Sequence, residues 1–314
     1  MYASPELGVF PHTVQTYGFE DHTAGAYGND NFSAIENYLV FEAKRGERSV
    51  AYYGETAYWV NVDIDVPLFL PITPQRRLHD LRKIAFRETA EGFRMHGQMN
   101  FDSGWEYGYW LNDVVTARAA WNPFVEVGDD WEAFRRSLAP VVSIFGPKYS
   151  ADVASILVDL SRAQEELLIN GIVDGIPSPN IRKLSGFAYL SGVDTWVDVP
   201  RVFGLPITQP DKLHLYEFHH PLWRYVSPLL VAMEERFQLI FEDIDRVYDE
   251  FVASLSSASE AAPDTCSGKD DACPTRAANE KAILQELRDC ILLLALRAKQ
   301  VRYTCALCGY LFPA

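Results

Sequence analysis

Carboxylates and aromatic rings stand close together in one stretch of the chain, residues 96–113. Asp102, Trp105, Glu106 and Tyr109 fall within it, at or just after a run of alternating apolar residues that predicts a β-strand. The faces of indole and phenol rings pack on C–H groups, while carboxylates bind hydroxyls or transfer protons. This combination favours a sugar-like ligand near the carboxyl end of a strand, where open α/β sheets and barrels carry their sites.

Two earlier predicted strands also run into acidic residues. Residues 13–17 form the first strand and precede Glu20 and Asp21, and residues 49–53 form the second and precede Glu55. Because the carboxyl ends of parallel strands meet at one edge, we expect these acids to lie near those of the third strand; the alternative is that they only cap helices or solvate loops. The predicted ligand-binding residues are Glu20, Asp21, His22, Tyr53, Trp59, Trp105 and Tyr109.

Each of these strands is followed by a predicted helix. Ser33 and Glu36 have the spacing of a capping box and open a helix over residues 34–45. Proline at the first helical position opens a second helix that ends near residue 88, and a third helix covers residues 106–121. Three successive strand–helix units predict an α/β domain over residues 1–122, with a parallel sheet and right-handed crossovers.

Residues 123–314 predict a helical domain. Apolar residues at steps of three and four describe a long helix over residues 221–255, and a second helix covers residues 277–301. The low-complexity segment 256–275 between them predicts a disordered linker, so the two helices are expected to pack as an antiparallel hairpin. The expected fold class is therefore α/β followed by all-α.

The run Phe101-Asp-Ser-Gly-Trp-Glu-Tyr-Gly-Tyr-Trp110 resembles the C-terminal half of a glycoside-hydrolase-type (β/α)8 barrel, a resemblance that covers about residues 10–122. It implies a partial (β/α) barrel-like sheet and a pair of carboxylates around a glycosidic oxygen. Glu106 is the expected proton donor, because neighbouring aromatic rings would desolvate it and raise its pKa. Glu55 or Asp102 is the expected second carboxylate. A whole barrel has eight strand–helix units, so an N-terminal barrel half outside this chain is expected.

Two other functions fit parts of the same pattern. A non-catalytic carbohydrate-binding or scaffolding protein would use the aromatic rings and acids for binding alone. A metal-dependent hydrolase would recruit acids and histidines, although no HxH or HExxH spacing is present. Its candidate ligands are His12, His22, His96, Asp63 and Asp65. Neither GxGxxG nor GxxxxGK[ST] occurs where a nucleotide site needs it, so no cofactor is expected.

Composition limits the partners. The net charge is -15, from 28 Lys and Arg against 43 Asp and Glu, which disfavours nucleic acid. The apolar run over residues 290–297 is much shorter than the roughly 20 residues that span a bilayer, so no membrane span is expected. The N-terminal residues lack the basic and apolar regions of a signal peptide, which favours a cytoplasmic protein.

The five cysteines leave the compartment open. Local disulfides, a zinc site and unpaired thiols all fit their spacing, which includes one CxxC and one Cys-x6-Cys pair. Disulfides would favour an exported protein whose N-terminus is truncated in this sequence. The cysteines are Cys266, Cys273, Cys290, Cys305 and Cys308.

Overall fold

The protein folds as an α/β region followed by helices, which confirms the expected fold class at this level. The structure is a computed structural model that describes residues 4, 6–14, 16–23, 29–56, 68–101, 108–177, 190, 220–261 and 272–311.

The α/β region is built on a three-stranded parallel sheet. Its strands are β1 (His12–Thr13), β2 (Ala51–Glu55) and β3 (Gly97–Phe101), in the order β1-β2-β3. Since side chains alternate between the faces of a strand, Thr13, Tyr52 and Gly54 share one face, while the other carries His12, Tyr53 and Met99.

Three helices accompany these strands: α1 (Ser33–Arg45), α2 (Ile72–Glu91) and α3 (Trp110–Trp121). Lys83 and Arg87 of α2 form ion pairs with Glu36 of α1, so these two helices lie side by side. The sheet face of Thr13 and Tyr52 contacts α2. Both crossover helices therefore cover the same face of the sheet.

The capping box predicted at the start of α1 is wrong. Ser33 and Glu36 do not form a capping box: the Ser33 hydroxyl donates to the backbone oxygen of Phe19, and Glu36 binds the two cations of α2 instead. The first strand also lies earlier than predicted, at residues 12–13. The following segment leaves the sheet because Tyr17 and Phe19 are fully buried and their backbone groups bond to side chains of α2.

The helical region begins with α4 (Asp130–Val142), a 3-10 turn (Ser143–Phe145) and α5 (Gly146–Gln164), which continues as a π turn (Glu165–Ile169). The side chain of Asp129 accepts a hydrogen bond from the backbone N–H of Glu132 and so caps the start of α4. A short antiparallel pair follows, β4 (Ile172–Val173) with β5 (Ile176–Pro177).

The longest helices, α6 (His220–Ala261) and α7 (Ala272–Leu311), pack against each other. Ion pairs join Glu234 to Arg302 and Asp245 to Arg288, so the helices run antiparallel, as predicted. Both helices extend into the predicted linker, whose residues 262–271 lie outside the described residues. Glu286 of α7 accepts hydrogen bonds from the backbone of Gly108 and the indole of Trp110, which ties α7 to the start of α3.

One stretch, Asp130–Ile169, is long and apolar enough to pass a test for a membrane span by length and composition, with a mean hydropathy of 1.3 over its best window. Half of that window is buried inside the protein. Leu138 of α4 and Leu157 and Leu160 of α5 are fully buried in the core. Buried core residues therefore contribute to this hydropathy.

Candidate functional site

Helix α2 has polar side chains that are buried around most of its circumference. Gln75, Arg76, Arg77, Asp80 and Arg82 are all buried, although a helix that is polar all round ordinarily lies in solvent. Burying such groups is costly unless each finds a partner. The partners of α2 therefore define how the α/β region is held together.

Arg77 lies at the centre of this arrangement and is fully buried. Its guanidinium donates to the Thr13 hydroxyl at 2.9 Å, to the backbone oxygen of Glu55 at 3.3 Å and to the backbone oxygen of Tyr17. It also lies 3.4 Å from the carboxylate of Asp80. One side chain thus binds the last residues of β1 and β2 and the segment that follows β1.

Asp80 completes the network. Its carboxylate accepts hydrogen bonds from the Phe19 backbone at 3.0 Å and from the Tyr52 phenol at 2.5 Å. Burial raises the pKa of Asp80 above its ordinary value, and burial raises the pKa of Tyr52 well above its own. Glycine at position 54 leaves room for this arginine, because a Cβ there would lie 2.6 Å from Cδ of Arg77 and the side chain would have to shift.

A polar cleft of ≈ 230 Å³ opens beside this network, and we call it the α2 cleft. The loop after β1, helix α2, the start of α4 and the π turn all contribute to it. Its lining consists of Gly18, Glu20, Asp21, Gln75, Arg76, His79, Asp130, Trp131 and Glu165.

Three carboxylates of the α2 cleft are each held through one oxygen. Arg76 donates to Asp21 and to Glu165, both at 2.7 Å, and Lys83 donates to Glu20 at 2.6 Å. The hydrogen bond from Lys83 lowers the pKa of Glu20. Among the described residues, the other oxygen of each carboxylate has no hydrogen-bond donor. The cleft therefore offers fixed acceptors for the donors of a ligand.

A histidine–carboxylate pair lines the same cleft. Nδ1 of His79 lies 2.5 Å from one oxygen of Asp130, and Nε of Arg82 lies 2.5 Å from the other. The hydrogen bond with Asp130 raises the pKa of His79, and the same bond lowers the pKa of Asp130. Nε2 of His79 has no partner within the described part of the chain. This nitrogen can donate to a ligand when His79 is protonated and accept when it is neutral.

Glu55 lies on the other side of the sheet. Its side chain is 3% exposed, and one carboxylate oxygen lies 3.3 Å from Nε2 of His12. The ring of Tyr53 stacks on the His12 imidazole with 4.3 Å between centroids. The structure therefore brings Glu20 and Asp21 together in the α2 cleft and places Glu55 with Tyr53 on the opposite face.

The remaining predicted site residues lie away from the α2 cleft or outside the described residues. Tyr109 is buried and its hydroxyl donates to the backbone oxygen of Leu68, so it packs in the core and does not line the α2 cleft. His22 is exposed and does not line the α2 cleft. Trp59, Asp102, Trp105 and Glu106 lie outside the described residues, as do Asp63 and Asp65.

The described residues contain no group of three or more His, Cys, Asp or Glu side chains that could hold a metal ion. His12 lies beside Glu55, whereas Nδ1 of His96 accepts a hydrogen bond from the backbone of Val50. Cys290 and Cys305 are buried on α7. The side chains of Cys266, Cys273 and Cys308 lie outside the described part of the structure, so the cysteine predictions stay open.

Sequence patterns missed most of the α2 cleft. Arg76, His79, Asp130 and Glu165 come from three segments that are distant in sequence, and none of them belongs to a known catalytic spacing. The one available signal is the density of charged residues in α2, which is typical of an exposed helix. Comparison of the chain with protein-family models, curated proteins and solved structures gives no significant match.

Proposed function

We propose that this chain is a carbohydrate-active protein that binds a neutral, polyhydroxylated ligand in the α2 cleft. The observation that carries the proposal is the set of three carboxylates, Glu20, Asp21 and Glu165, each anchored through one oxygen. Sugar hydroxyls are hydrogen-bond donors, and charge-assisted bonds to fixed carboxylates are among the strong ones. The indole of Trp131 adds an apolar surface to the same cleft.

The charges around the α2 cleft favour a neutral ligand. Each of its four acids already pairs with a cation: Asp21 and Glu165 pair with Arg76, Glu20 pairs with Lys83, and Asp130 pairs with Arg82. The volume of ≈ 230 Å³ lies below the roughly 300–1,000 Å³ of drug-sized sites, which suits a single sugar unit.

Calorimetric titration with a panel of neutral monosaccharides and sugar alcohols tests this function. Asp21→Asn keeps the shape of the side chain but removes its charge, so we expect about a tenfold or greater loss of affinity. Asp243→Asn, on an exposed ion pair of α6, is the matched control and should bind like the unchanged chain. Absence of binding across the panel, or full affinity in Asp21→Asn, would contradict the proposal.

Hydrolysis of a glycosidic bond is the second candidate function, and the winding of the sheet favours it. The strand order β1-β2-β3 with both crossover helices on one face supports this candidate, because the strands and helices of (β/α) barrels succeed one another in the same way. Glu55 stands at the carboxyl end of β2 on the face away from α2, the position from which barrel enzymes present catalytic groups. In this proposal Glu106 donates the proton and Glu55 or Asp102 is the second carboxylate.

Turnover of a panel of aryl glycosides by Glu106→Gln and Glu55→Gln separates the two functions. Loss of turnover with retained sugar binding supports hydrolysis. If both variants keep the turnover and the binding of the unchanged chain, the carboxylates have no catalytic part. A chain that binds sugars in the α2 cleft but hydrolyses none of the substrates is a carbohydrate-binding protein.

A further inference from the structure

His79 lies between the two cations of α2 that anchor the carboxylates of the α2 cleft. Arg76 and Lys83 are neighbours of His79 on the helix surface, because residues three or four positions apart have roughly 5–6 Å between their Cβ atoms. Arg76 pairs with Glu165 and Lys83 pairs with Glu20. The histidine therefore has an anchored carboxylate on the side of each neighbour.

Asp130 fixes the ring of His79. Nδ1 of the ring lies 2.5 Å from one oxygen of Asp130, and Nε of Arg82 lies 2.5 Å from the other oxygen, so both oxygens of this carboxylate are engaged. Because Nδ1 is occupied, the ring exchanges protons through Nε2, which has no partner among the described residues. His79 and Asp130 thus form a proton-transferring pair within the lining of the cleft.

This pair has no nucleophile to activate in the α2 cleft. The described lining contains no Ser, Thr, Cys or Lys side chain. It does contain Glu165, which Arg76 holds at 2.7 Å through one oxygen. Arg162, three residues before Glu165, lies over the ring of Trp131, and that ring lines the same cleft. A proton donor and a proton acceptor therefore belong to one cleft and can act directly on its ligand.

We propose that the α2 cleft catalyses the interconversion of the two anomers of a free aldose, with His79 as the general acid and Glu165 as the general base. This inference rests on the proposed binding of a sugar in the same cleft. The ring oxygen of a sugar accepts a hydrogen bond, so protonated Nε2 of His79 is complementary to it, whereas carboxylates accept from hydroxyls. Anomerisation needs only an acid and a base around one carbon and no further reactant.

The proposed reaction opens and closes the sugar ring. Glu165 takes the proton of the anomeric hydroxyl, and the electron pair of that O–H bond forms the carbonyl group of the aldehyde. The bond between the anomeric carbon and the ring oxygen breaks, and the ring oxygen takes the proton of Nε2 of His79. After rotation about the bond between the first two carbons, the reverse steps close the ring on the other face. Both protons return to the groups that supplied them.

The acid role requires a protonated His79. Its hydrogen bond with Asp130 raises the pKa of His79, which keeps the ring protonated to higher pH. The catalysed rate should therefore fall as the pH rises through the pKa of His79 in the folded protein. The charged groups that act on this histidine come from α2, α4 and the loop after β1, and they are Arg76, Asp80, Asp130 and Glu20.

Polarimetry of freshly dissolved α-D-glucose, α-D-galactose and α-D-xylose tests this activity, because the optical rotation changes as the anomers equilibrate. We expect the full chain to speed the change above the protein-free rate. His79→Gln and Glu165→Gln should each reduce this acceleration by at least about a hundredfold, since general acid–base catalysis typically contributes 10²–10⁴-fold. Asp243→Asn on α6 is the control and should keep the full acceleration.

Calorimetric titration of the same sugars separates this inference from the proposed function. Binding of the sugars by His79→Gln within about tenfold of the unchanged chain, together with lost acceleration, supports the catalytic role. Sugars that bind to the unchanged chain without any acceleration overturn the anomerisation alone. Full acceleration in His79→Gln or Glu165→Gln overturns the assigned roles. Absence of sugar binding overturns the proposed function together with this inference.

Discussion

Replacing Arg77 by Met should be among the most destabilising single changes in the α/β region. Met keeps much of the side-chain volume but removes the guanidinium, so Asp80 becomes a fully buried carboxylate without its ion-pair partner. The hydroxyl of Thr13 and the backbone oxygens of Tyr17 and Glu55 lose a donor as well. Breaking a buried pair by removing one partner typically costs about 3–5 kcal/mol, which sets the expected loss in the free energy of unfolding.

The cost of Arg77→Met should depend on pH, because Asp80 can take up a proton. Asp80 keeps hydrogen bonds from Phe19 and Tyr52, and loss of the nearby cation raises its already raised pKa further. When the pKa of a carboxyl is higher in the folded state than in the unfolded state, protonation of that carboxyl stabilises the fold. This stabilisation is complete at pH values below the unfolded pKa and is lost as the pH rises through the folded pKa. The variant should therefore be less destabilised at pH 5 than at pH 8.

Urea unfolding followed by circular dichroism at both pH values measures these costs. In the double variant Arg77→Met/Asp80→Asn no charge is left unpaired, so we expect it to recover a substantial part of the loss. Arg246→Met, which removes only exposed ion pairs of α6, should change the free energy of unfolding by less than about 0.5 kcal/mol. A cost below about 1 kcal/mol for Arg77→Met at pH 8 would refute the view that this cation holds the network together.

Two further predictions concern the same region. Gly54→Ala should lower the free energy of unfolding by about 1–3 kcal/mol, because the new Cβ would lie 2.6 Å from Arg77. Gly97→Ala on β3 is the control and should be neutral, because no atom lies within 4 Å of the new Cβ. Equal midpoints of urea unfolding for the two variants would contradict this prediction. The raised pKa of His79 means that its bond to Asp130 stabilises the fold fully below the ordinary histidine pKa, and that this stabilisation is lost as pH rises through the folded value. His79→Gln should therefore cost about 0.5–1 kcal/mol at pH 6 and less at pH 9, and a cost that does not change with pH would argue against the pair.

The elements of the fold could be read largely from the sequence. Hydrophobic periodicity placed the helix hairpin α6–α7 and the three strand–helix units, since these patterns reflect burial of one face. Local signals were less reliable. Ser33 and Glu36 have the spacing of a capping box, yet Glu36 is buried and pairs with Lys83 and Arg87 from α2. Tertiary ion pairs therefore outweighed a local motif.

The candidate site could be predicted only in part. Glu20 and Asp21 were placed correctly after a strand, but their partners on α2 lie more than fifty residues away along the chain. Hydrophobic periodicity does not indicate such distant ion pairs, and the charged residues of α2 have the pattern of an exposed helix. Asp130 and Glu165 were missed for the same reason, because each reaches the cleft through a pairing with α2.

Because arginine does not lose its proton in proteins, Arg77 carries a charge that cannot be switched off. Its acceptors come from positions up to 64 residues away, on separate segments of the chain. A partly folded state that detaches any one of them leaves the charge buried and short of partners. Arg77 therefore makes the assembly of β1, β2 and α2 cooperative, and states in which only one of these elements has come away are strongly disfavoured.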